Sequence, residues 1–185
     1  MTITTLDPKT ALVVIDLQKG IVAMPCAHPI GPILDKAAAL AAAFRQHGLP
    51  VVLVNVTGGA PGRTDAPRMT GPFPDGFADL VPELNVQPSD HRVTKQTWGA
   101  FASTDLAAWL KGQGVTQVVI LGVSTSAGVE STAREAHAMG FHVTLVADAM
   151  TDRVAEAHDN SLGHIFPRLG EVGTTRALLE LLGKA

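Results

Sequence analysis

Two ionisable side chains end segments of the kind that form strands. Asp16 closes the run Ala-Leu-Val-Val-Ile, and Lys95 ends the short segment His91–Lys95. A third segment, Gly122-Val-Ser-Thr-Ser-Ala-Gly-Val-Glu-Ser-Thr, is rich in small hydroxyl residues and leads into a helical pattern. Ligands of doubly wound parallel sheets bind outside the carboxyl ends of the strands. We therefore expect these three features to meet at one edge of a sheet.

Each feature also has a purely structural interpretation. Asp16 could cap a turn after the first strand, and spacing alone leaves that role and catalysis equally open. Lys95 taken alone is more typical of a solvated charge at a rim. The hydroxyl-rich loop could bind an anion through backbone N–H groups at a helix start. Ser124, Thr125 and Ser126 could instead simply cap that helix.

The elements that must position these residues alternate along the chain. Short β-branched runs predict strands at Ala11–Asp16, Pro50–Val56, Arg92–Lys95, Gln117–Gly122, His142–Ala147 and Glu171–Thr174. Longer segments rich in alanine and leucine predict helices at Pro32–His47, Thr104–Lys111 with Thr104 as N-cap, Val129–Met139 and Thr175–Leu182. The strands are almost wholly apolar, which is typical of a parallel sheet with helices on both faces. We interpret Thr57–Gln87 as a long structured loop that forms a lid or wall.

Length and composition limit the class of protein. The chain has 185 residues, of which 46% are hydrophobic and 17% charged, and this fits a single domain over residues 1–185. A formal net charge of -3 without a basic run disfavours nucleic-acid binding. No apolar run approaches the ~18–20 residues needed to cross a bilayer, and no signal peptide is apparent. The single cysteine, Cys26, favours a reducing compartment, so we expect a cytoplasmic protein.

The sequence carries no motif for a nucleotide cofactor. The pattern G-x-x-x-x-G-K-[ST] is absent, and Gly58-Gly-Ala-Pro-Gly62 follows the second strand without opening a helix. We therefore expect no cofactor. Cys26 is interpreted as an inert thiol, because nothing in its local sequence lowers its pKa.

Several segments together resemble a known family. They are Val13-Val-Ile-Asp-Leu-Gln18, Thr94-Lys-Gln-Thr-Trp-Gly-Ala-Phe101, Leu121-Gly-Val-Ser-Thr-Ser-Ala-Gly-Val129 and Ser131-Thr-Ala-Arg-Glu-Ala136. In order and spacing the chain is similar, over nearly its whole length, to the isochorismatase-like hydrolases, also called the cysteine hydrolase superfamily. The resemblance implies a six-stranded, mainly parallel sheet of order 3-2-1-4-5-6 in a Rossmann-like three-layer α/β fold. It also implies a small-molecule substrate, a homo-oligomer, and a cis peptide between Val123 and Ser124.

The resemblance also assigns site residues. Asp16 and Lys95 match the family's catalytic Asp and Lys, and Gly128 stands where the nucleophilic Cys usually lies. A glycine has no side chain and cannot be a nucleophile. The resemblance therefore implies the chemistry of true isochorismatases, in which an acidic Asp protonates a vinyl ether and water captures the oxocarbenium ion. For this, the apolar strand must raise the pKa of Asp16 against the pull of Lys95. The residues implied to bind substrate are Gln18, Trp98, Phe101, Val123, Ser124, Thr125, Ser126 and Ala127.

Three functions stay open at this point. The first is a metal-independent hydrolase that uses Asp16 and Lys95, and the second is an amide or imide hydrolase with another nucleophile. The third is a family member that binds a small molecule without catalysis. We expect no metal, because the nicotinamidases' Asp-x-His pattern is replaced by Asn55-Val-Thr-Gly-Gly. Arg63 and Arg68 could bind a carboxylate, although solvated loop charges are the favoured interpretation.

Overall fold

A single six-stranded parallel sheet forms the centre of the computed structural model, which describes residues 2–66 and 73–184. The strands are β1 (Thr10–Ile15), β2 (Val51–Val56), β3 (His91–Lys95), β4 (Gln117–Val123), β5 (His142–Thr151) and β6 (Glu171–Gly173). Their order in the sheet is β3-β2-β1-β4-β5-β6, and all five pairings are parallel. The predicted α/β fold and its strand order are confirmed.

Helices cover both faces of the sheet. The α-helices are α1 (Lys19–Val22), α2 (Ile30–Gln46), α3 (Leu106–Gly112), α4 (Glu130–Ala138), α5 (Ala155–Asn160) and α6 (Thr175–Leu182). Val13 and Ile15 of β1 belong to one apolar cluster with α3 and α4, while Leu12 and Val14 belong to a second cluster with α2 and α6. Alternate residues of a strand point to opposite faces, so an all-apolar β1 needs both helical layers. None of the described helices is both long and apolar enough to cross a membrane.

The sequence prediction and the structure differ most after β5. The strand was predicted to end at Ala147, but it continues to Thr151 through an irregular register opposite β4. Asp148 reads as the polar end of a strand, yet its carboxylate accepts hydrogen bonds from the backbone N and Oγ1 of Thr175 at the start of α6. The short helices α1 and α5 were missed because segments of this length carry little periodicity.

Strand register brings the predicted site residues to one edge. Ile15 is paired with Val54 on one side and with Gly122 on the other, and Val56 is paired with Lys95. Asp16 follows Ile15 directly, so it emerges between the carboxyl ends of β2 and β4. The adjacency of Asp16 and Gly122, on which the predicted site depends, is therefore present.

Gly122 is predicted to be essential for the close packing of β4 on β1. Its φ is 124°, and a Cβ at this position would collide with the backbone oxygen of Ile15. We expect Gly122→Ala to lower the free energy of unfolding by about 3 kcal/mol or more, from strain and overpacking together. Chemical denaturation measures this loss.

Gly140→Ala is the matched control, because Gly140 also has a positive φ, 85°, but no atom within 4 Å of the added Cβ. It should cost about 1 to 2 kcal/mol, from backbone strain alone. Equal losses in the two variants would contradict the packing argument.

Candidate active site

A buried ion pair lies at the carboxyl edge of the sheet. The Nζ of Lys95 is 2.8 Å from Oδ2 of Asp16, and the two residues are 2% and 5% exposed. Lys95 Nζ also donates a hydrogen bond to the carbonyl oxygen of Thr97. Lys95 is thus not the solvated rim charge that its sequence context alone favours.

Burial dominates the protonation of Asp16. Desolvation raises its pKa from an ordinary value of 3.8 to about 6, although Lys95 lowers it by its charge and its hydrogen bond. Oδ1 of Asp16 is buried and has no hydrogen-bond partner among the described residues. A carboxyl group with one unpartnered oxygen and a pKa near neutrality can deliver a proton to a bound molecule. Burial thus shifts the pKa of Asp16 in the direction that an acid role requires.

The backbone of Asp16 turns sharply at the end of β1. Its φ is 51°, in the left-handed region that Asp tolerates better than most residues, and its N–H donates to the carbonyl of Val54. Since Oδ1 accepts no backbone N–H from the described chain, the structure does not support a capping role for this side chain.

Asp16 and Lys95 line a cavity of about 270 Å³. Most of its wall is apolar and comes from α1 and the residues after it, the ends of β2 and β4, the loop after β3 and the long loop. These apolar residues include Ile21, Met24, Val56, Phe73, Phe77, Trp98 and Val123. Phe73 and Phe77 stack at 4.3 Å between ring centroids, so the long loop does contribute a wall to the cavity.

Gly128 lies directly against the ion pair. A Cβ built on Gly128 would be 3.1 Å from Oδ2 of Asp16 and 2.8 Å from Cγ2 of Ile15. The second distance is shorter than real Cβ contacts, so a side chain here would require the Ile15 side chain or the turn to shift. The absence of a side chain lets the turn pack closely on the carboxylate.

A π-helical turn, Thr125–Val129, carries Gly128 and follows a cis peptide between Val123 and Ser124, as predicted. The hydroxyl-rich loop was expected to cap the next helix or to bind an anion. No side-chain capping hydrogen bond forms at this helix, so the capping prediction was wrong. The N–H of Ser126 donates to Asp152, and the N–H groups of Ala127 and Val129 donate to the carbonyl of Ser124. These three amides are therefore not available to an anion.

The structure gathers some of the predicted site residues and separates others. Those that line the cavity are Asp16, Lys95, Trp98, Val123, Ser124, Ala127 and Gly128. Those that make other contacts are Gln18, Phe101, Thr125 and Ser126.

The contacts of this second group are structural. The amide of Gln18 bonds to the backbone of Val56 and Phe77, and Phe101 lies in the apolar core. The hydroxyl of Thr125 lies 2.8 Å from Nδ1 of His158, and that of Ser126 donates to Asp152. These four side chains therefore position the walls of the cavity.

Two chemically active residues in the lining were not assigned to the site from sequence. Arg153 follows β5 and lines the cavity, and no described carboxylate forms a salt bridge with it. Cys26 lines the same cavity, where burial and then the charge of Asp152 raise the pKa of its thiol. Arg63 is exposed and outside this lining, and Arg68 lies outside the described residues. Arg153 was missed because the sequence prediction ended β5 at Ala147. The strand ends at Thr151, two residues before Arg153.

Metal-binding side chains do not cluster in the described chain. Within residues 2–66 and 73–184, no three His, Cys, Asp or Glu side chains come close enough together to hold an ion.

Comparison with known proteins gives a consistent result. The sequence model of the isochorismatase domain family matches residues 10–177 of this chain. The protein YwoC of Bacillus subtilis (strain 168), named as an uncharacterized isochorismatase family protein, is 42% identical over 179 residues, or 93% of each chain. The maleamate amidohydrolase of Pseudomonas putida is 30% identical over 186 residues, which cover 94% of this chain and 87% of that enzyme. The structure of an isochorismatase family protein from Burkholderia thailandensis superposes with a TM-score of 0.94 at 40% identity, covering 98% of this chain and 100% of the other.

The raised pKa of Asp16 predicts a pH dependence of stability. The pKa is about 6 in the folded chain and 3.8 without these interactions, so the folded state binds more protons between these values. The free energy of unfolding should therefore fall as the pH rises through this window, by about 3 kcal/mol from this one group. The contribution is fully present below pH 3.8 and lost above about 6.

Asp16→Asn isolates this effect in urea denaturation at pH 4 to 7. The amide leaves Lys95 buried without a counter-charge, which by itself lowers the stability of the variant. The comparison therefore uses the change of the free energy of unfolding with pH and not its absolute value. In Asp16→Asn the free energy of unfolding should not show the fall with rising pH that is expected for the wild-type chain. Parallel pH profiles for the two proteins would show that the pKa of Asp16 is not raised.

Proposed function

Because this chain belongs to the isochorismatase family of hydrolases, with amidohydrolases among its relatives, we propose that it is a metal-independent hydrolase of the isochorismatase type. Asp16 is the general acid, Lys95 is its charged partner, and no covalent intermediate forms. The observation that carries the proposal is a buried carboxyl group with a pKa of about 6, facing a cavity beside a glycine.

The proposed reaction uses the two oxygens of Asp16 differently. Oδ2 is held by Lys95 at 2.8 Å, whereas Oδ1 has no described partner. Oδ1 gives its proton to the terminal carbon of a vinyl ether, which makes the attached carbon an oxocarbenium ion. Water then adds to that carbon, and the hemiketal breaks down to a carbonyl compound and an alcohol. The Asp16 carboxylate that remains is stabilised by Lys95 and recovers its proton from solvent.

The cavity favours a small substrate with an apolar body and an anionic group. Its walls are mainly aliphatic and aromatic, and its volume of about 270 Å³ suits a molecule of one ring or less. Arg153 supplies a cation without a described carboxylate partner, and a guanidinium group binds a carboxylate through two parallel hydrogen bonds. Such an anion would also lie in the same cavity as Lys95.

An amide or imide hydrolase is the second candidate, because one observation favours it. Cys26 lines the same cavity as Asp16 and is the only cysteine of the chain. Burial and the negative charge of Asp152 raise the pKa of this thiol, which disfavours the thiolate that attacks a carbonyl. The non-catalytic binding protein is the third candidate, and it predicts binding without turnover.

The sign of the pH dependence separates acid from base catalysis by Asp16. If Asp16 must be protonated, kcat/KM falls about tenfold per pH unit above a pH of about 6. If it must be ionised, kcat/KM rises through the same range. The measurement is a pH profile on a panel of vinyl ethers, including isochorismate, beside small amides and imides such as maleamate.

Two variants accompany this profile. Asp16→Asn keeps the shape but removes the proton, and should lower kcat by about 100-fold or more. Lys95→Met removes the charge that lowers the pKa of Asp16, so it should reduce activity and move the fall in rate to higher pH. An unchanged rate in Asp16→Asn would overturn the acid role.

Cys26 provides a test of the second candidate. Because the proposed reaction needs no thiol, Cys26→Ala should keep kcat within about twofold of wild type. Iodoacetamide should inhibit the wild-type protein, since the adduct would occupy the cavity, but should not affect Cys26→Ala. Amide turnover that disappears in Cys26→Ala would instead establish the thiol as the nucleophile.

Several expectations drawn from sequence and resemblance stay predictions. They are a single domain over residues 1–185, a homo-oligomer, a cytoplasmic location and the absence of a cofactor. The exposed Trp98 at the cavity, 68% accessible in the single chain, is compatible with cover from another subunit.

A further inference from the structure

A second buried carboxylate lies behind the cavity wall and has no part in the proposed reaction. Asp152 follows β5 directly and is 4% exposed. Its Oδ2 accepts hydrogen bonds from the backbone N of Ser126 at 2.7 Å and from Ser126 Oγ at 2.8 Å. Its Oδ1 accepts from the backbone N of Arg153 at 2.7 Å and of Val154 at 3.3 Å.

These contacts join three parts of the cavity wall. Ser126 belongs to the turn Thr125–Val129, which presents Gly128 to Asp16. Arg153 is the cation of the wall. The carbonyl of Asp152 also accepts the N–H of Ala27 at 2.7 Å, next to Cys26 in the loop after α1.

We propose that Asp152 is a positioning residue of the active site, which fixes the turn Thr125–Val129, Arg153 and the loop of Cys26 relative to one another. Buried carboxylates are costly unless both oxygens are bonded, and here both are. The same carboxylate therefore sets the place of the turn that carries Gly128 and the place of the backbone from which Arg153 enters the cavity wall. This positioning role rests on the proposed function only in that Asp16 is taken to be the general acid of the reaction.

Asp152→Asn tests the arrangement with little change of shape. An amide has one acceptor oxygen in place of two, so the side chain loses either the bond from the backbone N of Ser126 or the pair from the backbone N of Arg153 and Val154, while the Ser126 hydroxyl can rotate to accept from the amide. We expect kcat/KM to fall about tenfold or more on whichever panel compound the wild type hydrolyses. The fall in rate near pH 6 should stay where it is, because Asp16 and Lys95 keep their contact.

The thiol of Cys26 gives a second measurement that needs no substrate. The charge of Asp152 raises the pKa of Cys26, so Asp152→Asn should lower that pKa. The rate of reaction with Ellman's reagent at pH 7.5 should rise about threefold or more. Cys26 is the only cysteine, so the signal comes from this position alone.

Asp148→Asn is the matched control. Asp148 lies four residues earlier on the same strand, and its Oδ1 likewise accepts from the backbone N and the hydroxyl of one residue, Thr175. Those contacts fix α6 and do not reach the cavity. Asp148→Asn should lower the melting temperature but leave kcat/KM and the thiol reaction rate at wild-type values.

Ser126→Ala is the milder variant, in case Asp152→Asn does not fold. It removes the hydroxyl bond at 2.8 Å and keeps the amide bond, so it should lower kcat about threefold with little change in KM. In the Asp152→Asn background its effect should be smaller than in the wild type, and a double-mutant cycle measures the difference.

The outcomes separate this proposal from the proposed function. If the wild type hydrolyses nothing on the panel, the proposed function fails, and the thiol measurement then decides only whether Asp152 acts on the Cys26 loop, which its carbonyl contacts through the N–H of Ala27. Where the wild type is active, wild-type kcat/KM in Asp152→Asn would overturn the positioning role, and wild-type thiol reactivity would remove the Cys26 loop from it. An equal effect of Asp148→Asn on either measurement would overturn the corresponding part.

Discussion

The contact between Asp16 and Lys95 is the interaction on which the rest of the site depends. A charged lysine that is 2% exposed needs polar partners, and Lys95 has the carboxyl group of Asp16 at 2.8 Å and the carbonyl oxygen of Thr97 at 3.1 Å. Asp16 and Lys95 come from β1 and β3, which are not neighbours, because β2 lies between them. The pair therefore spans the end of β2 and requires the strand order of this sheet. Arg45 and Asp90 form another ion pair at 2.7 Å, but neither residue lines the cavity.

The pKa of Asp16 follows from a competition within that contact. Burial of a carboxyl group without a charged partner would keep it neutral, and a solvent-exposed contact with a lysine would keep it ionised. Here burial has the larger effect, but Lys95 opposes it, and the resulting pKa of about 6 lies between the two limits. The apolar strand that made Asp16 conspicuous in the sequence is thus the physical cause of its chemistry. An exposed Asp-Lys pair of the same geometry would not hold a proton near neutral pH.

Features that depend on neighbouring residues in the chain could be predicted from the sequence, whereas features that depend on contacts between distant residues could not. The apolar runs of β1 and β4 are local, and with them the placement of Asp16 beside Gly122 could be predicted. Arg153 could not, because Asp148 resembles a strand end and its true role is visible only once α6 is packed against β5. The roles of Ser126 and Thr125 were missed for the same reason, since their partners, Asp152 and His158, are 26 and 33 residues away. From the local sequence, a hydroxyl residue near the start of a helix is predicted to cap it. Only the folded structure shows which partner the hydroxyl actually contacts.

The turn Thr125–Val129 shows how these long-range contacts bear on mechanism. Enzymes that attack a carbonyl need free amide groups to bind the oxyanion that forms. In this chain the amide of Ser126 is bonded to Asp152, and those of Ala127 and Val129 to the carbonyl of Ser124. A reaction through an oxocarbenium ion develops positive charge and needs no such amide groups. The bonding of these three amides and the missing side chain of Gly128 therefore both support the proposed oxocarbenium chemistry over attack on a carbonyl.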